Sequence, residues 1–188
     1  MTGAGGSIGS ELCRQIFKCE PVRLLLLEVS EFALYRIHQE LLRVPSGGED
    51  LPVVEVIPLL GSVCDEVRVA EVMDTWRPDT VYHAAAYKHV PIVEHNIAEG
   101  LLNNVLGTLH TAQAAIQAGV ANFVLISTDK AVYPVSLYGA TKLTMERLFI
   151  SANQFSLPQT AFSIFRSGNF MQSSGNVFEK WEKQSQKG

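Results

Sequence analysis

Residues 2–9 read Thr-Gly-Ala-Gly-Gly-Ser-Ile-Gly, and the spacing of Gly3, Gly6 and Gly9 decides the fold. Glycine lets a backbone turn tightly and approach a pyrophosphate, which then rests on the N-terminus of the following helix. The helical stretch Ser10–Phe17 follows at once. Next comes Val22-Arg23-Leu24-Leu25-Leu26-Leu27-Glu28, an apolar run that ends in an acid and reads as a buried parallel strand. Glu28 stands 19 residues after Gly9, about where a ribose-binding carboxylate falls. A carboxylate there accepts from both ribose hydroxyls and repels a 2′-phosphate, so the expected cofactor is NAD, with NADP as the alternative. Loop, helix, strand and acid in this order point to an α/β, doubly wound parallel sheet of the Rossmann type.

The chain alternates strand and helix as that sheet requires. Helices are expected over Glu31–Val44, with Ser30 as N-cap, and over Asp65–Trp76, Pro91–Gly119 and Tyr138–Ser156. Strands are expected over Val53–Leu60, Thr80–Ala85, Asn122–Ser127 and Thr160–Arg166, with a polar loop at Pro45–Asp50. Residues 1–166 form the expected dinucleotide-binding domain, and 167–188 open a substrate-binding region. Only Met1 and Thr2 precede the glycine loop. Strand 1, normally central in the order 3-2-1-4-5-6, is therefore expected to be truncated. Most of a C-terminal substrate lobe is expected to be missing, and such a fragment would be poorly soluble and inactive alone.

A second cluster carries the chemistry. Ser127-Thr128-Asp129-Lys130 ends a strand, and Tyr138-Gly139-Ala140-Thr141-Lys142 opens a helix. Tyr138 and Lys142 are four residues apart and share a helix face. An ammonium beside a phenol favours the phenolate. That pair suits removal of a hydroxyl proton while hydride leaves the same carbon. Asp129 and Lys130 add a second acid and a second base.

These motifs, with His83-Ala84-Ala85-Ala86-Tyr87-Lys88-His89-Val90-Pro91 and Asn103-Asn104-Val105-Leu106-Gly107-Thr108, resemble the extended short-chain dehydrogenase/reductase family. Within it the chain resembles the nucleotide-sugar 4,6-dehydratases of bacterial polysaccharide biosynthesis, above all those acting on UDP-N-acetylglucosamine. Relatives acting on dTDP-glucose carry glutamate where Lys130 stands, and large membrane-anchored relatives usually carry methionine where Tyr138 stands. The resemblance implies catalytic roles for Thr128, Asp129, Lys130, Tyr138 and Lys142. It implies cofactor contacts at Gly3, Gly6, Ser7, Ile8, Gly9, Glu28, Ser62, Val63, Ala84 and Ala85, shared by Tyr138 and Lys142. It implies substrate contacts at Lys88, Asn104 and Asn169. Asp129 would act as the acid and Lys130 as the base, or the reverse. Asp129 must then stay protonated near neutral pH, and Lys130 must be neutral. The alternatives are a 4-epimerase or reductase of the same fold, which needs no Asp129–Lys130 pair, and a non-catalytic NAD-binding fragment. Arg166-Ser167-Gly168-Asn169 follows the relatives' pattern, from which Phe170, Met171 and Gln172 depart.

Composition bounds the partners. The 188 residues are 47% hydrophobic with a formal net charge of −4, enough for one substantial core and unsuited to nucleic acid. No apolar run approaches the roughly 20 residues that span a bilayer. Cys13, Cys19 and Cys64 show no CxxC spacing and read as ordinary core thiols of a reducing cytosol. The five histidines form no metal-ligand pattern, so no metal is expected. A cytoplasmic location is expected, with full-length relatives at the inner face of the membrane. Relatives pair through two long helices, which makes a homo-oligomer the expected assembly.

Overall fold

In a computed structural model of the chain, residues 1–44, 53–155 and 160–170 are described. Five strands, β1 (Arg23–Glu28), β2 (Glu55–Leu60), β3 (Thr80–His83), β4 (Asn122–Thr128) and β5 (Ala161–Ser167), pair parallel as β1–β2 and β3–β4–β5. Thr2 joins the two groups by bridging Leu27 and His83 in parallel. Its N–H donates to the Tyr82 carbonyl at 3.0 Å, and its own carbonyl accepts from Ala84 N–H at 3.2 Å. The Leu27 N–H donates to the Met1 carbonyl at 2.9 Å. The spatial order is thus β2-β1-Thr2-β3-β4-β5, with one bridging residue where the fold's central strand belongs. A cavity of about 530 Å³ lies in the slot, between Leu25 and Leu27 on one side and Val81 and Tyr82 on the other.

Helices cover both faces. The helices α1 (Ser7–Phe17) and α2 (Glu31–Leu42) bury Cys13, Phe17, Leu34, Ile37 and Leu41 against Leu24 and Leu26. Ser30 caps α2 as expected, its side chain accepting from Ala33 N–H at 3.3 Å. On the other face lie α3 (Glu66–Trp76), α6 (Gly107–Gln117) and α7 (Leu137–Phe155). Their core centres on Phe123, Phe149 and Phe162, whose ring centroids lie 5.0–5.5 Å apart. The expected loop at 45–50 lies outside the described residues.

One element departs from expectation. The single helix over Pro91–Gly119 is four pieces: α4 (Val90–His95), α5 (Ile97–Leu101), a π-helical turn at Leu102–Leu106, and α6. Asn96 breaks it with φ −132° and ψ 60°, a non-helical conformation. The π turn inserts one residue and turns Asn104 fully inward. Of the cysteines, Cys13 is buried and Cys19 exposed, so the latter is no core thiol.

Candidate active site

The glycine loop fits a phosphate-bearing ligand. Gly3 has φ +65°, and a Cβ there would lie 2.7 Å from the Ala85 backbone nitrogen. A Cβ on Gly9 would meet the Gly3 carbonyl oxygen at 1.8 Å. These two glycines let the loop lie on Ala84–Ala85 and α1 start directly beneath it. Gly6 differs, because a Cβ there would make only ordinary contact, 3.4 Å from the Gly3 carbonyl oxygen. No side chain caps α1. That is a cradle for a pyrophosphate, built from backbone N–H groups.

Glu28 ends β1 at the lip of this loop. Its Oε2 accepts from Gly5 N–H at 2.9 Å, and Oε1 from Val29 and Ser30 N–H at 2.9 and 3.0 Å. A carboxylate offers about four acceptor positions, so three bonds fix the loop and leave capacity for a ribose hydroxyl. Ser62 turns the chain after β2, its Oγ accepting from Cys64 N–H at 3.1 Å. Val63 packs its side chain into the core against Gly107, so the part of it free to meet a cofactor is backbone.

A buried polar chain runs from the loop to α7. Thr108 donates its hydroxyl proton to the Asn104 carbonyl at 2.6 Å, so it must accept from His83 Nε2–H at 3.0 Å. His83 is therefore protonated on Nε2, and Nδ1 accepts from the Thr2 hydroxyl at 2.9 Å. Burial pushes the His83 pKa down to about 3, with Lys142 and the Met1 amino group adding to the effect. The Asn104 Nδ2 donates to the Tyr87 carbonyl and to Thr141 Oγ1, both at 3.1 Å. Its Oδ1 accepts from Tyr87 N–H at 2.8 Å. Asn104, expected to face the substrate, is instead buried, and its amide ties the loop after β3 to α7. Sequence reasoning overlooked His83, whose signal was a lone histidine ending an apolar strand. Lys88 is half-buried in that same loop.

The chemistry-bearing residues converge at the C-terminal ends of β4 and β5. Thr128 Oγ1 donates to Asp129 Oδ1 at 2.9 Å, and the Tyr138 side chain lies beside Thr128 and Asp129. Lys130 Nζ donates to Asp129 Oδ1 at 3.1 Å and to Asn169 Oδ1 at 3.0 Å. Thr128, Asp129, Lys130 and Asn169 thus form one connected cluster, with Tyr138 beside it. Lys142 lies one turn along α7 from Tyr138, with Nζ donating to the Ile126 carbonyl at 3.1 Å.

Two charge states differ from expectation. Tyr138 was expected to be pulled toward phenolate by Lys142. Instead burial raises its pKa, Thr128 opposes this, and the Asp129 carboxylate adds to the rise. Lys142 is turned to Ile126, and its own pKa is pushed down to about 8 by burial, against the pull of Glu146. Asp129 was expected to hold a proton, yet the hydrogen bond from Lys130, helped by that from Thr128, lowers its pKa. The Asp129 and Lys130 side chains are 59% and 40% exposed, a solvated ion pair in this state.

The family model for polysaccharide biosynthesis protein matches residues 1–188. The chain belongs to the polysaccharide biosynthesis protein family. It is 43% identical over 188 residues to the capsular polysaccharide biosynthesis protein CapD of Staphylococcus aureus, covering all of this chain and 30% of that protein. It is 42% identical over 125 residues to a UDP-N-acetylglucosamine 4,6-dehydratase (inverting) of Campylobacter jejuni, covering 66% of this chain and 37% of that one. The X-ray structure of Pen from Bacillus thuringiensis superposes with a TM-score of 0.85 at 32% identity, covering 98% of this chain and 54% of that one. This family member therefore spans about a third to a half of the relatives it matches. Among the described residues no helix is long and apolar enough to cross a membrane.

Proposed function

We propose that this chain carries the cofactor half of a nucleotide-sugar 4,6-dehydratase acting on UDP-N-acetylglucosamine with NAD. The observation that carries the reading is the hydrogen-bonded cluster of Thr128, Asp129, Lys130 and Asn169 at the strand ends, with Tyr138 beside it, on the ligand side of such a sheet. NAD, held by the glycine loop and Glu28, would accept hydride from C4 of the sugar and later return it to C6. Thr128 holds the sugar O4, and Tyr138 takes its proton, with Lys142 favouring the phenolate once turned from Ile126. The 4-ketone acidifies the C5 hydrogen, which Lys130 removes while Asp129 gives a proton to the departing 6-hydroxyl as water.

The ion pair observed is one proton hop from that working state. A carboxylate with an ammonium and a carboxylic acid with an amine hold the same number of protons. Substrate that strips water from the pair disfavours the charged form. The reverse assignment, Asp129 as base and Lys130 as acid, needs no hop, because it uses the ion pair as it stands. An epimerase or reductase has no use for the pair.

Incubating the full-length protein with UDP-N-acetylglucosamine should give a 4-keto-6-deoxy sugar nucleotide with no net NADH. A C4-epimerised sugar as sole product contradicts the reading. Titration with the two cofactors should give tighter binding of NAD, through Glu28, and tighter binding of NADP would overturn that assignment. Cytoplasmic residence and action in surface polysaccharide synthesis belong to the same proposal.

A further inference from the structure

The geometry points to Glu146 as a positioning residue that sets the Tyr138–Lys142 face of α7 against β4. Its bearing on turnover rests on the dehydratase reading. Glu146 lies four residues beyond Lys142 and eight beyond Tyr138, on the same helix face. It is 1% exposed, and a buried carboxylate is costly unless it is paired and hydrogen-bonded. Ser127 Oγ donates to its Oε1 at 2.6 Å. Arg166 donates through Nε to Oε1 at 2.8 Å and through Nη2 to Oε2. Burial acts to raise its pKa, but the bonds from Arg166 and Ser127 prevail and hold it low, so it is a carboxylate.

Each partner belongs to a strand that ends at the site. Ser127 immediately precedes Thr128, and Arg166 leads toward Asn169. Two rungs therefore fasten α7 beside Tyr138: Lys142 on the Ile126 carbonyl, and Glu146 on Ser127 and Arg166. The carboxylate also favours the ammonium form of Lys142, against burial. The groups facing this lysine are Tyr138 and Glu146 on α7, His83 at the end of β3, and Arg166 acting through Glu146. Asp129 lies beyond Tyr138, and the Met1 amino group beyond His83.

Lysine 13Cε NMR across pH tests this without turnover, with the Lys142 signal identified by its loss in K142R. E146Q should lower the Lys142 midpoint by about one unit or more, whereas E146D, which keeps the charge, should leave it near the wild-type value. Should E146Q fail to fold, E146Q/R166Q keeps an amide pair and, because it removes a cation along with the anion, should show a smaller shift in the same direction. An unchanged midpoint in E146Q, or in the double variant where E146Q does not fold, overturns the inference. In the dehydratase assay E146Q should lower kcat about tenfold, with KM for UDP-N-acetylglucosamine within about twofold, and E146D should recover most of the rate. A loss confined to KM overturns it. Wild-type protein that makes no product contradicts the dehydratase reading and leaves the NMR result to decide the role of Glu146.

Discussion

His83 shows how one buried ring links loop chemistry to stability. Its pKa falls from the ordinary value near 6.5 to about 3 because the neutral ring is enclosed between Thr2 and Thr108. A depressed pKa means that the unfolded chain binds the proton first. The contribution is complete above pH 6.5 and is lost as pH falls toward 3, at up to about 1.4 kcal/mol per pH unit. Denaturant midpoints measured from pH 6.5 to 5, above the carboxylate range, should fall steadily. His83→Gln should flatten that slope while lowering stability at pH 7, and an equal slope in both proteins would contradict the account. At the site, Tyr138→Phe removes the group proposed to take the O4 proton. The first hydride transfer in the full-length protein should fall about 10²- to 10⁴-fold, read in a single turnover at 340 nm. Retained oxidation in that variant would assign the proton to another base.

At the scale of elements, the aromatic cluster ties helix to sheet. Phe123 on β4 packs against Phe149 of α7 and Phe162 of β5, so it holds α7 to the sheet. Phe123→Ala should cost about 3–5 kcal/mol, measured by denaturant unfolding. A loss below about 1 kcal/mol would mean that the site relaxes freely around the missing ring.

At the scale of the molecule, the sheet order, the tight glycine turns and the gathering of Thr128–Lys142 at one end of the sheet were legible because each rests on local spacing. Three features were not. The break at Asn96 and the π turn at Leu102–Leu106 are set by tertiary packing, and the apolar pattern runs through both. The burial of Asn104 follows from that turn. The charge states of Tyr138 and Asp129 depend on which group each side chain meets, which spacing alone does not fix. The two long helices expected at a subunit interface divide in the same way: Met145 and Phe149 are core, whereas Leu101, Leu102, Leu106 and Ile150 are exposed. Self-association through that exposed set is our expectation for the full-length protein, and sedimentation as a clean monomer at micromolar concentration would contradict it.

The central claim is that Tyr138 serves oxidation at C4 while Asp129 and Lys130 serve elimination. The most direct test mixes NAD-loaded full-length protein, wild type or Lys130→Ala, with UDP-N-acetylglucosamine and follows absorbance at 340 nm alongside product. The account expects a transient signal and a 4-keto-6-deoxy product from wild type, and a persistent signal without dehydration from Lys130→Ala. Unimpaired dehydration by Lys130→Ala would contradict it.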